Sequence, residues 1–126
     1  MEKTIISTHN APEAIGPYSQ AVQFGNFLFT SGQIPIDPAT NMMIDGDVTA
    51  QAHQVMENLK AVLAAAGMDF THVLKATVFL KDMNNFQEMN AVYSSYFSGN
   101  YPAREAVQAA ALPKNALVEI SMIAAK

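Results

Sequence analysis

The stretch TAQAHQVMENLKAVLAAAGMDFTHVLKATVFLKD, residues 49–82, changes its period half-way along, and that change decides the fold. Up to residue 66 the apolar residues Ala52, Val55, Met56, Leu59, Val62, Leu63 and Ala66 recur three and four apart, which puts them on one helical face. Thr49 offers an N-cap and Gly67 a stop. From residue 72 the run HVLKATVFLKD is apolar and β-branched, the composition of a central strand.

Towards the N-terminus, TIIS (4–7) reads as a short edge strand and APEAIGPYSQ (11–20) as a loop turning at Gly16-Pro17. AVQFGNFLFTSGQ (21–33) is two strand-like runs split by Gly25-Asn26, a hairpin signal. PIDPATNMMIDGD (35–47) reads as loop. Towards the C-terminus, residues 84–99 open with Asn caps and carry Phe86, Met89, Tyr93, Tyr96 and Phe97 at helical spacing, as packing residues rather than a ligand cage. Two strands follow, over 103–110 and 116–124. The order βββ, α, β, α, ββ predicts one α+β domain over 1–126, with both helices on one face of a mixed, six-stranded sheet. The other sheet face then needs a cover, and another subunit is the natural one.

Composition agrees. Half of the 126 residues are apolar and only 14% are charged, against about 25% in ordinary soluble chains. A small domain so short of charge is expected to bury part of its surface against copies of itself. The net charge is −4, with no Lys or Arg run, so the basic footprint of a nucleic-acid binder is missing. There is no Cys, which excludes disulfides, thiolate ligands and a cysteine nucleophile. His9, His53 and His72 lack ligand spacing, so no metal is expected. Residues 1–13 show no signal-peptide or transit pattern, and no apolar run is long enough to span a bilayer. A cytoplasmic location is the plain expectation.

Phosphate loops, HExxH and GxSxG are all absent. The unusual residues are Arg104, Glu105 and Glu119, charged groups within apolar strands. Along 103–110, Arg104, Ala106 and Gln108 share a face opposite to Glu105 and Val107. An ionised group in such a place must be paired or functional. Arg104 suits a carboxylate, held by two parallel hydrogen bonds, and Glu119 suits either its partner or a base. The pattern alone favours a structural ion pair, perhaps across a subunit seam. If strands 103–110 and 116–124 pair directly, Arg104 and Glu119 share a face only where Ala106 opposes Glu119. Tyr18 either plugs an edge of the core or lines a site. Ser31-Gly32 is either a simple turn or backbone freed for a ligand.

Five collinear segments, APEAIGPYSQAV, TSGQIPIDP, KATVFLKDMNNFQEMNAVY, YPAR and ALPKNALVEI, together closely resemble the YjgF/UK114 family, and within it the RidA (reactive intermediate deaminase A) subgroup. The likeness runs from about residue 3 to 125. It implies a chorismate-mutase-like α+β fold, a homotrimer with clefts between subunits, and hydrolysis of small 2-imino acids to 2-oxo acids and ammonia, with neither metal nor cofactor. By the resemblance, Arg104 binds the substrate carboxylate, Glu119 activates water, and Tyr18, Ser31, Gly32 and Asn90 line the cleft. The subgroup often reads Arg-Ser-Cys-Val where this chain reads Arg104-Glu105-Ala106-Val107. Ala106 lacks a thiol but keeps its backbone N–H for a substrate. Glu105 faces away from Arg104 by strand parity. Two other readings stand beside the deaminase: a non-catalytic regulator that binds small carboxylates, and a chaperone-like interaction module.

Overall fold

The structure, a computed structural model, describes residues 2–126. Strands β1 (Lys3–Ile6), β2 (Ala21–Phe24) and β3 (Phe27–Thr30) form an antiparallel meander. Phe24 pairs with Phe27, so Gly25-Asn26 is a two-residue turn; Gly25 takes φ +60°, as the first central position of a type II′ turn demands. A small ribbon, β4 (Ile36–Asp37) with β5 (Met42–Met43), follows within the segment expected to be loop. Helix α1 (Val48–Ala65) leads to β6 (Val73–Leu80), helix α2 (Phe86–Ser95) leads to β7 (Ala103–Gln108), and β8 (Val118–Ala125) closes the chain.

The six-stranded sheet has the order β1-β2-β3-β8-β6-β7, with β6 and β7 parallel and every other pair antiparallel. Since β3 and β6 both run antiparallel to β8, they run parallel to each other. The crossovers β3-α1-β6 and β6-α2-β7 therefore step in the same direction across the sheet. Parallel crossovers are right-handed, so two successive steps in one direction put both helices on one face. β8 then inserts in the gap that the first crossover left.

The core lies between these helices and the near face of the sheet. Val55, Met56, Leu59, Val62 and Leu63 of α1 meet Ala76, Val78, Leu80, Ile120 and Met122, all at most 2% exposed. The far face of the sheet has no cover in the single chain: Ile5, Phe24, Phe27, Phe29 and Val107 are each about half exposed there. Among the described residues no helix is long and apolar enough to cross a membrane.

Two expectations are corrected, and a condition is answered. The cap of α1 is Asp47, whose carboxylate accepts from Ala50 N–H (3.0 Å), and Thr49 lies inside the helix. The segment 84–99 is helical only as a 3₁₀ turn, Met83–Asn85, and α2; Asp82 caps the turn, while Asn85 makes no side-chain cap. Most important for chemistry, β7 and β8 do not pair, because β6 lies between them. A late strand enters an earlier gap here, a topology that local periodicity does not encode.

Candidate functional site

The register through β6 fixes where the two charges go. Arg104 stands beside Ala76, which stands beside Met122; Val107 stands beside Phe79, which stands beside Glu119. Paired residues share a face, so Arg104 points to the helix side and Glu119 to the open side. Within one chain they are not partners, and the register that would have joined them does not occur. Glu105 faces away from Arg104, as parity requires, and pairs with Lys75 at 3.1 Å on the open face.

Glu119 lies in a cavity of about 590 Å³ together with Tyr18, Ser31, Gly32, Ile15 and Lys114. The cavity exists because β3 breaks its ladder with β8. Phe29 pairs with Ile123, but the next pairing is Gln33 with Ile120, one residue out of step, a bulge over 30–32. Met122 N–H is taken by the Thr30 hydroxyl (2.9 Å), and Gln33 exchanges two backbone bonds with Ile120 (2.8 and 3.1 Å). Gly32 N–H has no partner among the described residues. A Cβ at Gly32 would collide with the Glu119 carboxylate, so this glycine is required for close approach rather than for its φ.

Neighbouring polar groups brace this wall. The Ser31 hydroxyl donates to Ser19 C=O (2.5 Å) and Ser31 N–H to Gln20 C=O (2.9 Å), so towards a ligand the hydroxyl is left as an acceptor. Buried Gln20 donates to Pro12 C=O (2.7 Å) and Thr8 C=O (3.0 Å) and accepts from Thr8 N–H (2.7 Å). Buried Asn58 of α1 donates to Ile36 C=O (2.9 Å). Tyr18 stands exposed at the mouth instead of plugging the core. The Glu119 carboxylate makes no hydrogen bond or ion pair among the described residues, and burial raises its pKa above the ordinary carboxylate value.

Arg104 occupies a second cavity, of about 430 Å³, with Asn90, Tyr93, Ser94, Tyr101 and Pro102. One Nη1–H donates to Asn90 Oδ1 (2.7 Å), and the guanidinium lies over the rings of Tyr93 and Phe86, 4.8 and 5.5 Å from their centroids. No acid pairs with it among the described residues. Ala106 enters neither cavity, but its backbone is relevant. Ala109 N–H donates to Leu80 C=O (2.9 Å), and main-chain groups alternate along a strand. Arg104, Ala106 and Gln108 therefore turn their N–H and C=O to the free edge of β7.

The predicted residues thus fall into two groups: Tyr18, Ser31, Gly32 and Glu119 in one cavity, Asn90 and Arg104 in the other. The sequence reading took Phe86 and Tyr93 only as packing residues and gave no role to Gln20 or Asn58. Asn58 was detectable, as an amide next to the apolar face of α1. Gln20 lies in a loop with no such pattern.

A fold of this kind, with such a bulge and edge arginine, defines a class. The family described as endoribonuclease L-PSP matches residues 8–126. A RutC family protein of Pyrococcus horikoshii is 56% identical over 124 residues, 98% of each chain. The mouse protein named 2-iminobutanoate/2-iminopropanoate deaminase is 49% identical over 122 residues, 97% of this chain and 90% of its own. Among solved structures, a putative endoribonuclease of Thermotoga maritima superposes with TM-score 0.96 at 49% identity, covering 100% of this chain and 98% of that one. RidA of an Antarctic Psychrobacter follows at 0.94 and 46%, covering 98% and 99%, and Escherichia coli TdcF with bound serine at 0.93 and 45%, covering 98% of each chain. The chain belongs to the YjgF/UK114 family, alongside its Rid proteins.

Proposed function

We propose that this protein hydrolyses small 2-imino acids, 2-iminobutanoate and 2-iminopropanoate, to 2-oxo acids and ammonia, in clefts completed between the copies of a homotrimer. The observation that carries the reading is the pair of unneutralised charges. Among the described residues Arg104 is oriented by three neighbours yet pairs with no acid, and Glu119 is partly desolvated yet pairs with no base. Each is half of a site for a small carboxylate that must meet water. The half-exposed apolar residues of the open face supply a reason for copies to associate. Relatives with deaminase names in mouse and human, at 49% and 48% identity, point to the same chemistry.

In this mechanism Arg104 of one copy grips the substrate carboxylate, with the free Gly32 N–H and Glu119 of the neighbouring copy across the cleft. Holding the C=N carbon in place removes much of the entropic cost of the encounter. Glu119 takes a proton from water as its oxygen bonds to that carbon. That proton passes to the nitrogen, giving a carbinolamine. The remaining hydroxyl proton of the added water then moves through Glu119 to the amine, the C=O forms as the C–N bond breaks, and ammonia leaves a 2-oxo acid. General-base assistance supplies about 10²–10⁴-fold, enough for a substrate that is already short-lived in water.

The test is ammonia release from freshly generated 2-iminobutanoate, compared between wild type and Arg104→Ala. A wild-type rate no faster than the uncatalysed one ends the enzymatic reading. If 2-oxobutanoate still binds saturably in that case, the protein is a carboxylate-binding regulator, a reading to which the relative solved with bound serine lends weight. A chaperone-like activity that survives Arg104→Ala would support the interaction module. Nothing in the charge pattern favours RNA as a substrate: net charge is −4 and no basic run occurs.

A further inference from the structure

We infer that Tyr93 is a positioning residue for substrate binding, and that it acts through the face of its ring on Arg104. The inference rests on the reading of Arg104 as the carboxylate-binding group. Arg104 stands on the edge strand β7, where a long side chain with many rotamers has few backbone neighbours to confine it. Three contacts confine it instead, all from α2: Asn90 takes one N–H, Phe86 lies on one side, and Tyr93 lies nearest, with its centroid 4.8 Å from the guanidinium carbon. A guanidinium stacked on a ring keeps its edge N–H groups in one plane and free, the geometry that a bidentate carboxylate needs.

The ring itself is well anchored. Tyr93 is only 3% exposed, it packs against Phe97 at 4.9 Å between centroids, and Phe97 packs against Phe70 at 5.5 Å. Its hydroxyl, by contrast, is buried without a hydrogen-bond partner among the described residues. A buried hydroxyl with nothing to bond to adds no orientation. What Tyr93 offers Arg104 is therefore its π face. Burial holds the Tyr93 phenol above its ordinary pKa despite the opposing pull of the Arg104 charge, so the ring meets the guanidinium as a neutral phenol.

The test uses four full-length variants, Tyr93→Phe, Tyr93→Leu, Arg104→Ala and the double variant Tyr93→Leu/Arg104→Ala. KM and kcat are measured with 2-iminobutanoate and Kd with 2-oxobutanoate. Tyr93→Leu is expected to raise KM and Kd about 5–20-fold while kcat changes less than about threefold. Tyr93→Phe, which keeps the face, is expected to retain most of the affinity. In the Arg104→Ala background, Tyr93→Leu is expected to add nothing. Equal damage from Tyr93→Phe and Tyr93→Leu would overturn the inference, as would a full effect of Tyr93→Leu when Arg104 is absent. Should Tyr93→Leu melt early, Phe86→Leu, on the less buried ring, replaces it with an expected KM rise of about 2–5-fold; no rise there overturns the inference equally. An active wild type with indifferent Tyr93 variants sinks this inference alone. A wild type that neither turns over the imine nor binds the 2-oxo acid sinks the reading of Arg104, and this inference with it.

Discussion

The Arg104 cavity and the Glu119 cavity are built in opposite ways. Side chains build the first: one helix, α2, supplies the amide and two rings that aim the guanidinium. Backbone builds the second: a slipped ladder at residues 30–32 leaves a free N–H at Gly32 and lets the carboxylate lie against it. Among the described residues the cation is oriented and unpaired, and the anion is partly desolvated and unpaired. They stand on opposite faces of the sheet, with β6 between their strands and three register positions between their rows, so neither reaches the other within one chain. The parity of three adjacent strands keeps them apart. A chain that keeps two opposite charges on opposite sides of one sheet has left both available to something outside itself.

The sharpest way to break that comparison is to disable one cavity at a time. Arg104→Ala and Glu119→Gln are each expected to lower kcat/KM by about 10²–10³-fold or more. Mixed before assembly, the two inactive chains should recover activity. In a trimer whose clefts draw Arg104 from one copy and Glu119 from the next, random mixing in equal amounts leaves about a quarter of clefts intact. The check is the imine assay on the refolded mixture. No recovery, with mixed trimers present, would mean that a single chain carries the whole site.

Gly32→Ala attacks only the backbone-built cavity. Its Cβ would meet the Glu119 carboxylate, while the φ of residue 32 imposes no glycine. We expect at least about a tenfold loss of kcat/KM with little change in Tm, since the carboxylate rather than the core must move. A loss of Tm without a specific loss of rate would show that the bulge serves folding instead.

Legibility followed the range of the interaction. The amphipathic period of α1, the turn at Gly25-Asn26 and the strand parity that separates Arg104 from Glu105 depend on neighbours in sequence, and all were legible. The ribbon β4–β5, two residues on each side, is too short to imprint a period. The insertion of β8 between β3 and β6 depends on residues about 90 and 45 positions away, and with it went the relation of Arg104 to Glu119. Arg104 and Glu119 stood out because charge is rare in apolar strands. The phenyl and phenol faces under Arg104 did not, because an aromatic at helical spacing looks the same whether it packs on leucine or on a guanidinium.

Proton linkage separates the two cavities further. Burial raises the folded-state pKa of Glu119 above the ordinary 4.5. The folded chain therefore holds this proton more tightly than the unfolded one. The stability it contributes is complete below the ordinary value and is lost as pH rises through the folded value. Glu119→Gln, which cannot ionise, should gain stability relative to wild type as pH climbs from about 4 to about 7, a trend read from paired melting curves. Reversal of that trend would mean that a cation compensates the carboxylate. The acid limb of kcat/KM should likewise lie above 4.5, the ordinary carboxylate value.

The smallest effect belongs to Glu105, which shares a strand with Arg104 but not a face. Its pair with Lys75 leaves the two side chains 66% and 41% exposed in the single chain. A pair so placed is worth at most about 1 kcal/mol and weakens with salt. Glu105→Ser should therefore change kcat/KM by less than about twofold and leave the affinity for 2-oxobutanoate intact. Its stability effect is the informative part. If copies cover the open face only near β3, the loss stays within about 0.5 kcal/mol and vanishes at high salt. If the seam reaches β7, the pair is desolvated, and removing Glu105 strands Lys75 in a dry interface at a cost of about 3–5 kcal/mol. Melting curves of Glu105→Ser at low and high salt thus test how far across the sheet the proposed homotrimer seam would extend.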